Sequence, residues 1–235
     1  MSFIVILACL AVQWFFNMTS LAFEYQWADK YVQWMNKQFK SLEKGHGLFT
    51  VAILVLPIVI AVSLVFTIVY HTLGHIGYLI LSLLLLWYYV NITSLKPLLN
   101  PLSASDLLLQ SYQKIFALLF WYFVFGPVGL ALYIVVETLR TQLPDQKYFV
   151  LTHGVLDWVP IRLVGLSFAL AGNFSAVFKV WMKDLFQPVT DNQDQILAYA
   201  QPALVIDPDA ISLVRRALII WLVVMALVTI GSWVG

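Results

Sequence analysis

Charge is what this sequence has least of. Of its 235 residues, 11% are Asp, Glu, Lys or Arg, while 62% are hydrophobic. Soluble domains carry about 25% charged and about 45–50% apolar residues, so a water-facing fold is excluded and an integral membrane protein is implied. The net charge of +1 comes without a basic or acidic tail, which sets nucleic acid aside as a partner. A single cysteine, Cys9, excludes an internal disulfide and a thiolate metal cluster; in its apolar run it reads as a small buried hydrophobe. No Lys or Arg precedes Lys30, so the charged start of a secretory signal is missing and the apolar N-terminus is expected to be retained. Walker loop, HExxH, GxSxG and GxGxxG patterns are absent, which removes the common routes to nucleotide- or metal-dependent chemistry. No cofactor and no metal site is expected. No internal repeat, low-complexity tract or second domain stands out, so residues 1–235 read as one integral membrane domain.

Aromatic residues are plentiful: 15% of the chain, nine of them Trp, as interfacial belts require. The fold class expected is all-α and polytopic, with about five transmembrane helices and two interfacial amphipathic helices. Residues 2–16 are apolar apart from Gln13 but short for a crossing, which takes about 20 residues. Over 23–44, Phe23, Trp27, Tyr31, Trp34 and Gln38 recur at helical steps with lysines between and after them, which predicts a helix lying on the membrane surface. Crossings are expected at 48–70 and 76–92, joined by a short turn over His71–His75, and then at 115–136, where Gly126-Pro127 reads as a packing kink. Residues 155–171 form a fourth crossing or a re-entrant element. An amphipathic interfacial helix follows over 174–186, then a cytoplasmic loop over 187–210 with a short helix at 193–201. The last crossing is 217–234. With these crossings alternating, ten cations fall on one face and two on the other, a positive-inside signal that places the amphipathic helices in the cytoplasm and Gly235 outside.

One stretch sets titratable groups inside membrane-grade sequence: His153-Gly-Val-Leu-Asp157-Trp158-Val-Pro160-Ile-Arg162-Leu163. Asp or Arg at the bilayer centre costs roughly 2.5–3.5 kcal/mol on insertion scales, so a pairing of Asp157 with Arg162 is expected, with Trp158 at the interface. Such residues are functional candidates by default, whether as a ligand site or as a pair that orients neighbouring helices. His153 and Asp157, four apart, would share a face of a helix and position the imidazole for proton transfer. Alternatively Asp157 caps a helix that starts there, with Pro160 in its first turn. Glu137, closing the Gly-Pro helix, is placed to join Asp157 or to bind Arg140 locally. The candidate catalytic groups are therefore Asp157, Arg162, His153 and Glu137, and the ligand-holding or helix-orienting set is Asp157, Trp158, Pro160, Arg162, Gly126 and Pro127. His71 and His75 have metal-like spacing without a third ligand, so a polar hairpin tip is the simpler account.

The run from His153 to Gly172, with Phe120-Trp121, Gly126-Pro127-Val128 and Ser212-Leu-Val-Arg-Arg216 before the last apolar span, closely resembles the AmpE family of bacterial inner-membrane proteins. The basic, aromatic stretch at 23–44 fits as well, whereas the loop over 91–114 looks shorter than in enterobacterial members. The family is named for its association with β-lactamase induction. AmpE proteins are in turn similar to the CobD/CbiB adenosylcobinamide-phosphate synthases, whose Asn-x-x-Pro-Ala-Arg-Leu is matched by Asp157, Pro160, Arg162 and Leu163. Their Asn-Thr-Leu-Asp reads here Glu137-Thr138-Leu139-Arg140, and their N-terminal Asp-Pro and His-Pro motif is missing, so the carboxylates that ATP and magnesium would need are too few. The resemblance implies a signalling or accessory factor tied to β-lactamase induction and cell-wall recycling. Alternatives are a membrane enzyme related to the synthases, forming an amide bond in cobalamin biosynthesis, or a small transporter. Expected partners are the lipid bilayer, a polar or anionic small molecule, and a second copy in a homo-oligomer.

Overall fold

The computed structural model describes residues 2–16, 30–31, 33–34, 47–90, 92, 103–143, 147–185, 192–205 and 209–234. Every regular element among them is helical: α1 (Ser2–Phe16), α2 (Leu48–Tyr89), α3 (Ala104–Ser111), a π-helical turn (Tyr112–Phe116), α4 (Ala117–Gln142), α5 (Lys147–Ala171), α6 (Phe174–Asp184), α7 (Asn192–Ala203) and α8 (Ala210–Val234). Four stretches are long and apolar enough to cross a membrane, namely Phe49–Tyr89, Ala104–Gln142, Lys147–Ala171 and Ala210–Ser232. The class is the all-α, polytopic one that composition implies.

Two of the four stretches fold back on themselves. Drawn straight, α2 would run about 60 Å, roughly twice the hydrocarbon thickness of a bilayer. Gly74 breaks it, with φ 67 and ψ −158. The rings of Phe66 and Tyr78 then meet at 5.5 Å, where a straight helix would hold such residues about 18 Å apart. The hairpin expected here is present, with a single glycine as its turn and His71 and His75 within the flanking helix.

Gly126 repeats the device, with φ 64 and ψ −149. A Cβ on Gly129 would collide with the carbonyl oxygen of Trp121, which along an unbroken helix would lie about 12 Å away. Residues 115–136 are therefore not one kinked crossing; the chain reverses into a second hairpin with arms 104–125 and 127–142. Both turns read Tyr-x-x-x-Gly-x-x-Gly, as Tyr70-Gly74-Gly77 and Tyr122-Gly126-Gly129, so a short internal repeat exists after all. In each, the first glycine supplies a backbone conformation closed to other residues. The second lets the arms close, since a Cβ on Gly77 would strike Leu73. The two tips lie together: a Cβ on Gly126 would sit 3.5 Å from the Tyr78 hydroxyl. The reversal also places Lys114, Arg140 and Lys147 away from the tip on one side, so the ten-against-two division of cations does not hold as drawn.

Helix α5 is continuous over 25 residues, about 37 Å, with Pro160 inside it. Asp157 is thus mid-helix and not a cap, and the re-entrant reading of 155–171 gives way to one helix long enough to cross. The predicted amphipathic helix after it is α6, which buries Val177 and exposes Lys179 and Lys183. Half of the segment over 187–210 is α7, the short helix expected at 193–201, and its Ile196, Tyr199, Ala200 and Ala203 are buried against the core. At the N-terminus, α1 is tied down by its one amide: Gln13 donates to the Val90 carbonyl at 2.7 Å and accepts from the Ile92 amide at 3.2 Å. Of the interfacial helix expected over 23–44, only residues 30, 31, 33 and 34 are described; they are helical, and Tyr31 donates to the Leu54 carbonyl at 2.8 Å. The remainder of that segment lies outside the described residues.

Candidate functional site

Two helices build the polar centre, each with the same spacing. On the second arm of the Gly126 hairpin, Tyr133, Glu137 and Arg140 fall at steps of four and three, one face of a helix. On α5, His153 and Asp157 do the same. Where α4 packs against α5, these faces meet in the interior. His153 Nε2 lies 2.5 Å from Glu137 Oε2, and His153 Nδ1 lies 3.2 Å from Asp157 Oδ2. Glu137 continues outward to Arg140, whose Nε is 3.3 Å from its Oε2. At the inner end, the hydroxyls of Tyr112 and Tyr133 face the Asp157 carboxylate. The result is one line of groups, Arg140–Glu137–His153–Asp157, closed by two phenols. His153 and Asp157 side chains are 5% and 2% exposed and Arg140 is 25% exposed, so among the described residues the line opens toward its arginine end.

Charge neutrality explains why such a line is tolerated. Unpaired charge in an apolar interior is expensive, so ionised groups there come paired. His153 lies between the two carboxylates within ion-pair distance of each, and Arg140 supplies a second cationic group beside Glu137.

Arg162 does other work. Its Nε and NH2 donate to the carbonyls of Leu185 and Asp184 at 3.2 and 2.9 Å, and its NH1 to that of Trp158 at 3.0 Å. Its guanidinium also lies over the Trp158 ring, 4.3 Å from the centroid. In return, the Trp181 indole donates to the Arg162 carbonyl at 2.8 Å. Arg162 thus clamps the end of α6, whose last carbonyls have no partner within the helix, onto α5. The expected Asp157–Arg162 pairing is replaced by these two separate arrangements, because a five-residue step puts the side chains about 140° apart around the helix axis.

Of the residues predicted from sequence, Glu137, His153 and Asp157 come together. Trp158 and Arg162 form the α6 clamp. Pro160, which lacks an amide hydrogen, leaves the Leu156 carbonyl without its usual helical donor, and Gly126 and Pro127 make the hairpin turn. Tyr112, Tyr133 and Arg140 were missed as members of the site. The sequence signal was there for two of them: Tyr133 and Arg140 bracket Glu137 at helical steps. Tyr112 is brought in by the π-helical turn at 112–116 and the hairpin fold, which no local pattern announces. Three surface grooves of about 250, 350 and 410 Å³ are lined by other residues, almost all apolar.

Residues 89–234 match the family described as regulatory signalling modulator protein AmpE. This chain belongs to the AmpE family. The matched segment contains the whole second hairpin and α5, hence every member of the polar line. Searches among curated proteins and among solved structures give no match. As an AmpE-family chain with four stretches apolar enough to cross a bilayer, it is a signalling-related membrane protein.

Proposed function

We propose that this chain is an inner-membrane modulator of the response linking cell-wall recycling to β-lactamase induction, and that the Arg140–Glu137–His153–Asp157 line is the part through which it acts. The observation carrying this reading is that one imidazole joins carboxylates from two different helices in a dry interior. Holding α4 and α5 in register then depends on that ring's contacts with both carboxylates. Any event that favours one arrangement of those contacts over another shifts the population of helix arrangements. Arg140, the outermost member, is the point where a polar or anionic small molecule would exert such a preference, by competing for Glu137's partner.

The test is inducible β-lactamase activity in a bacterium deleted for its own family member and complemented with this chain. The parent restores the induced level, and His153→Leu, present in the membrane at the parental amount, does not. Equal restoration by His153→Leu would overturn the role of the line. Growth on cobyric acid of a strain lacking cobinamide-phosphate synthase, rescued by the parent chain, would instead favour the enzyme reading.

A further inference from the structure

A second feature lies where α1 meets α8. Ser2–Phe16 is about 22 Å long, too short to cross a bilayer of about 30 Å, yet it is packed along α8 and fastened through Gln13. Between the two helices runs a groove of about 350 Å³ lined by Leu7, Leu10, Ala11, Leu218 and Leu222, with Trp14 and Arg215 also in its wall. Among the described residues, Arg215 is the single charged one lining it. The guanidinium lies over the Trp14 ring, 5.6 Å from the centroid, and Arg216 follows it in sequence. Trp14 and Phe15 are 50% and 79% exposed, and Trp is the residue that settles at headgroup depth. The two helices run antiparallel here, since Trp14 pairs with Arg215 while Leu7 lies in the same groove as Leu222. The groove therefore has a cationic, aromatic end and, about 10 Å along the helices, an aliphatic end.

We propose that this groove is a binding site for an anionic phospholipid, with the phosphate on Arg215 and one acyl chain lying between α1 and α8. The charge pattern selects the occupant: a guanidinium at the headgroup end complements a phosphate, and a wall without another polar side chain takes hydrocarbon. Asp209 caps the start of α8, accepting from the Ile211 amide at 3.0 Å. It stands six residues before Arg215. A bound lipid would extend the apolar cover of α1, whose own length falls short of the bilayer.

Native mass spectrometry of the full chain in detergent, titrated with phosphatidylglycerol or phosphatidylethanolamine, provides the test. The parent is expected to hold phosphatidylglycerol about fivefold more tightly, the effect of one basic residue near a lipid surface. Arg215→Gln removes that preference while leaving acyl binding. Ala11→Phe, which fills the groove, lowers retention of both lipids, and Lys179→Gln on α6 changes neither. Circular dichroism verifies that each variant keeps the parental helix content. Where Arg215→Gln does not fold, competition by glycerol phosphate in the parent serves instead: poor competition supports the acyl groove. Equal binding of the two lipids by the parent, an unchanged preference in Arg215→Gln, or competition by glycerol phosphate as strong as by the lipid would each overturn the proposal.

Discussion

Removing the imidazole from the buried line separates an energetic unit from a coincidence of contacts. His153→Leu leaves Glu137 and Asp157 facing across α4 and α5 with an apolar side chain between them. Deleting one partner of a buried ion pair costs about 3–5 kcal/mol, because the other stays uncompensated. Asp157, with a side chain 2% exposed, meets that condition; Glu137, at 17% exposure and with Arg140 beside it, meets it in part. The expected loss is about 3 kcal/mol. Asp157→Leu is milder, since His153 keeps Glu137 and no carboxylate is stranded; the loss of the polar group that the two tyrosine hydroxyls face costs about 1 kcal/mol. The double variant removes the stranded carboxylate along with the ring, so its cost falls below the sum of the two by at least about 1 kcal/mol. Unfolding in mixed micelles with rising dodecyl sulfate, followed by circular dichroism, measures all four corners of the cycle. Additivity within about 0.5 kcal/mol would refute the claim that these groups act together.

Two other predictions rest on different elements. Gly74→Ala and Gly126→Ala each force a side chain into the positive-φ conformation with ψ near −150°, a strain of about 1–3 kcal/mol. Because a Cβ meets nothing within 4 Å at Gly74 and only the Tyr78 hydroxyl at Gly126, the same unfolding assay should show two similar losses; a loss at one site alone would mean that packing and not conformation governs the turn. Tyr199 in α7 is fully buried and its hydroxyl has no hydrogen-bond partner among the described residues. Burial pushes its pKa from 10.0 up to about 12. The unfolded chain then releases this proton first, so stability is complete below pH 10 and falls as pH rises through 12. Tyr199→Phe should lose that part of the alkaline decline and be no less stable at neutral pH; an unchanged pH profile from 9 to 12 would contradict it.

How far the sequence discloses this architecture depends on whether local pattern or distant contact decides each feature. The helices α6 and α7 and the hairpin at Gly74 are legible because apolar periodicity and turn residues specify them within a few turns. Gly126-Pro127 is not, since glycine and proline in an apolar run are equally compatible with a kink and with a reversal. What decides it is close packing between the arms, which Gly129 permits. Pro160 posed the same ambiguity: a proline three residues after an aspartate marks a helix start in water, yet sits mid-helix in α5, where neighbouring helices support the backbone. The Asp157–Arg162 pairing is different. Helix geometry alone argues against it once 153–171 is taken as one helix, and only the assumption of a turn at Pro160 makes it attractive.

The division of labour on α5 follows from that same geometry. Side chains four apart, His153 and Asp157, face the second hairpin, and Arg162 faces α6 on another side of the helix. A change at His153 therefore acts on the α4–α5 contact, while the clamp at Asp184 and Leu185 holds α6 to α5 through separate contacts. Because the clamp uses backbone carbonyls as acceptors, it does not titrate. Any displacement of α5 caused at the buried line would then be carried to the amphipathic helix as a rigid body. The basic face of α6, with Lys179 and Lys183 exposed, is consequently the surface where such a displacement would be readable, 26 and 30 residues along the chain from the imidazole.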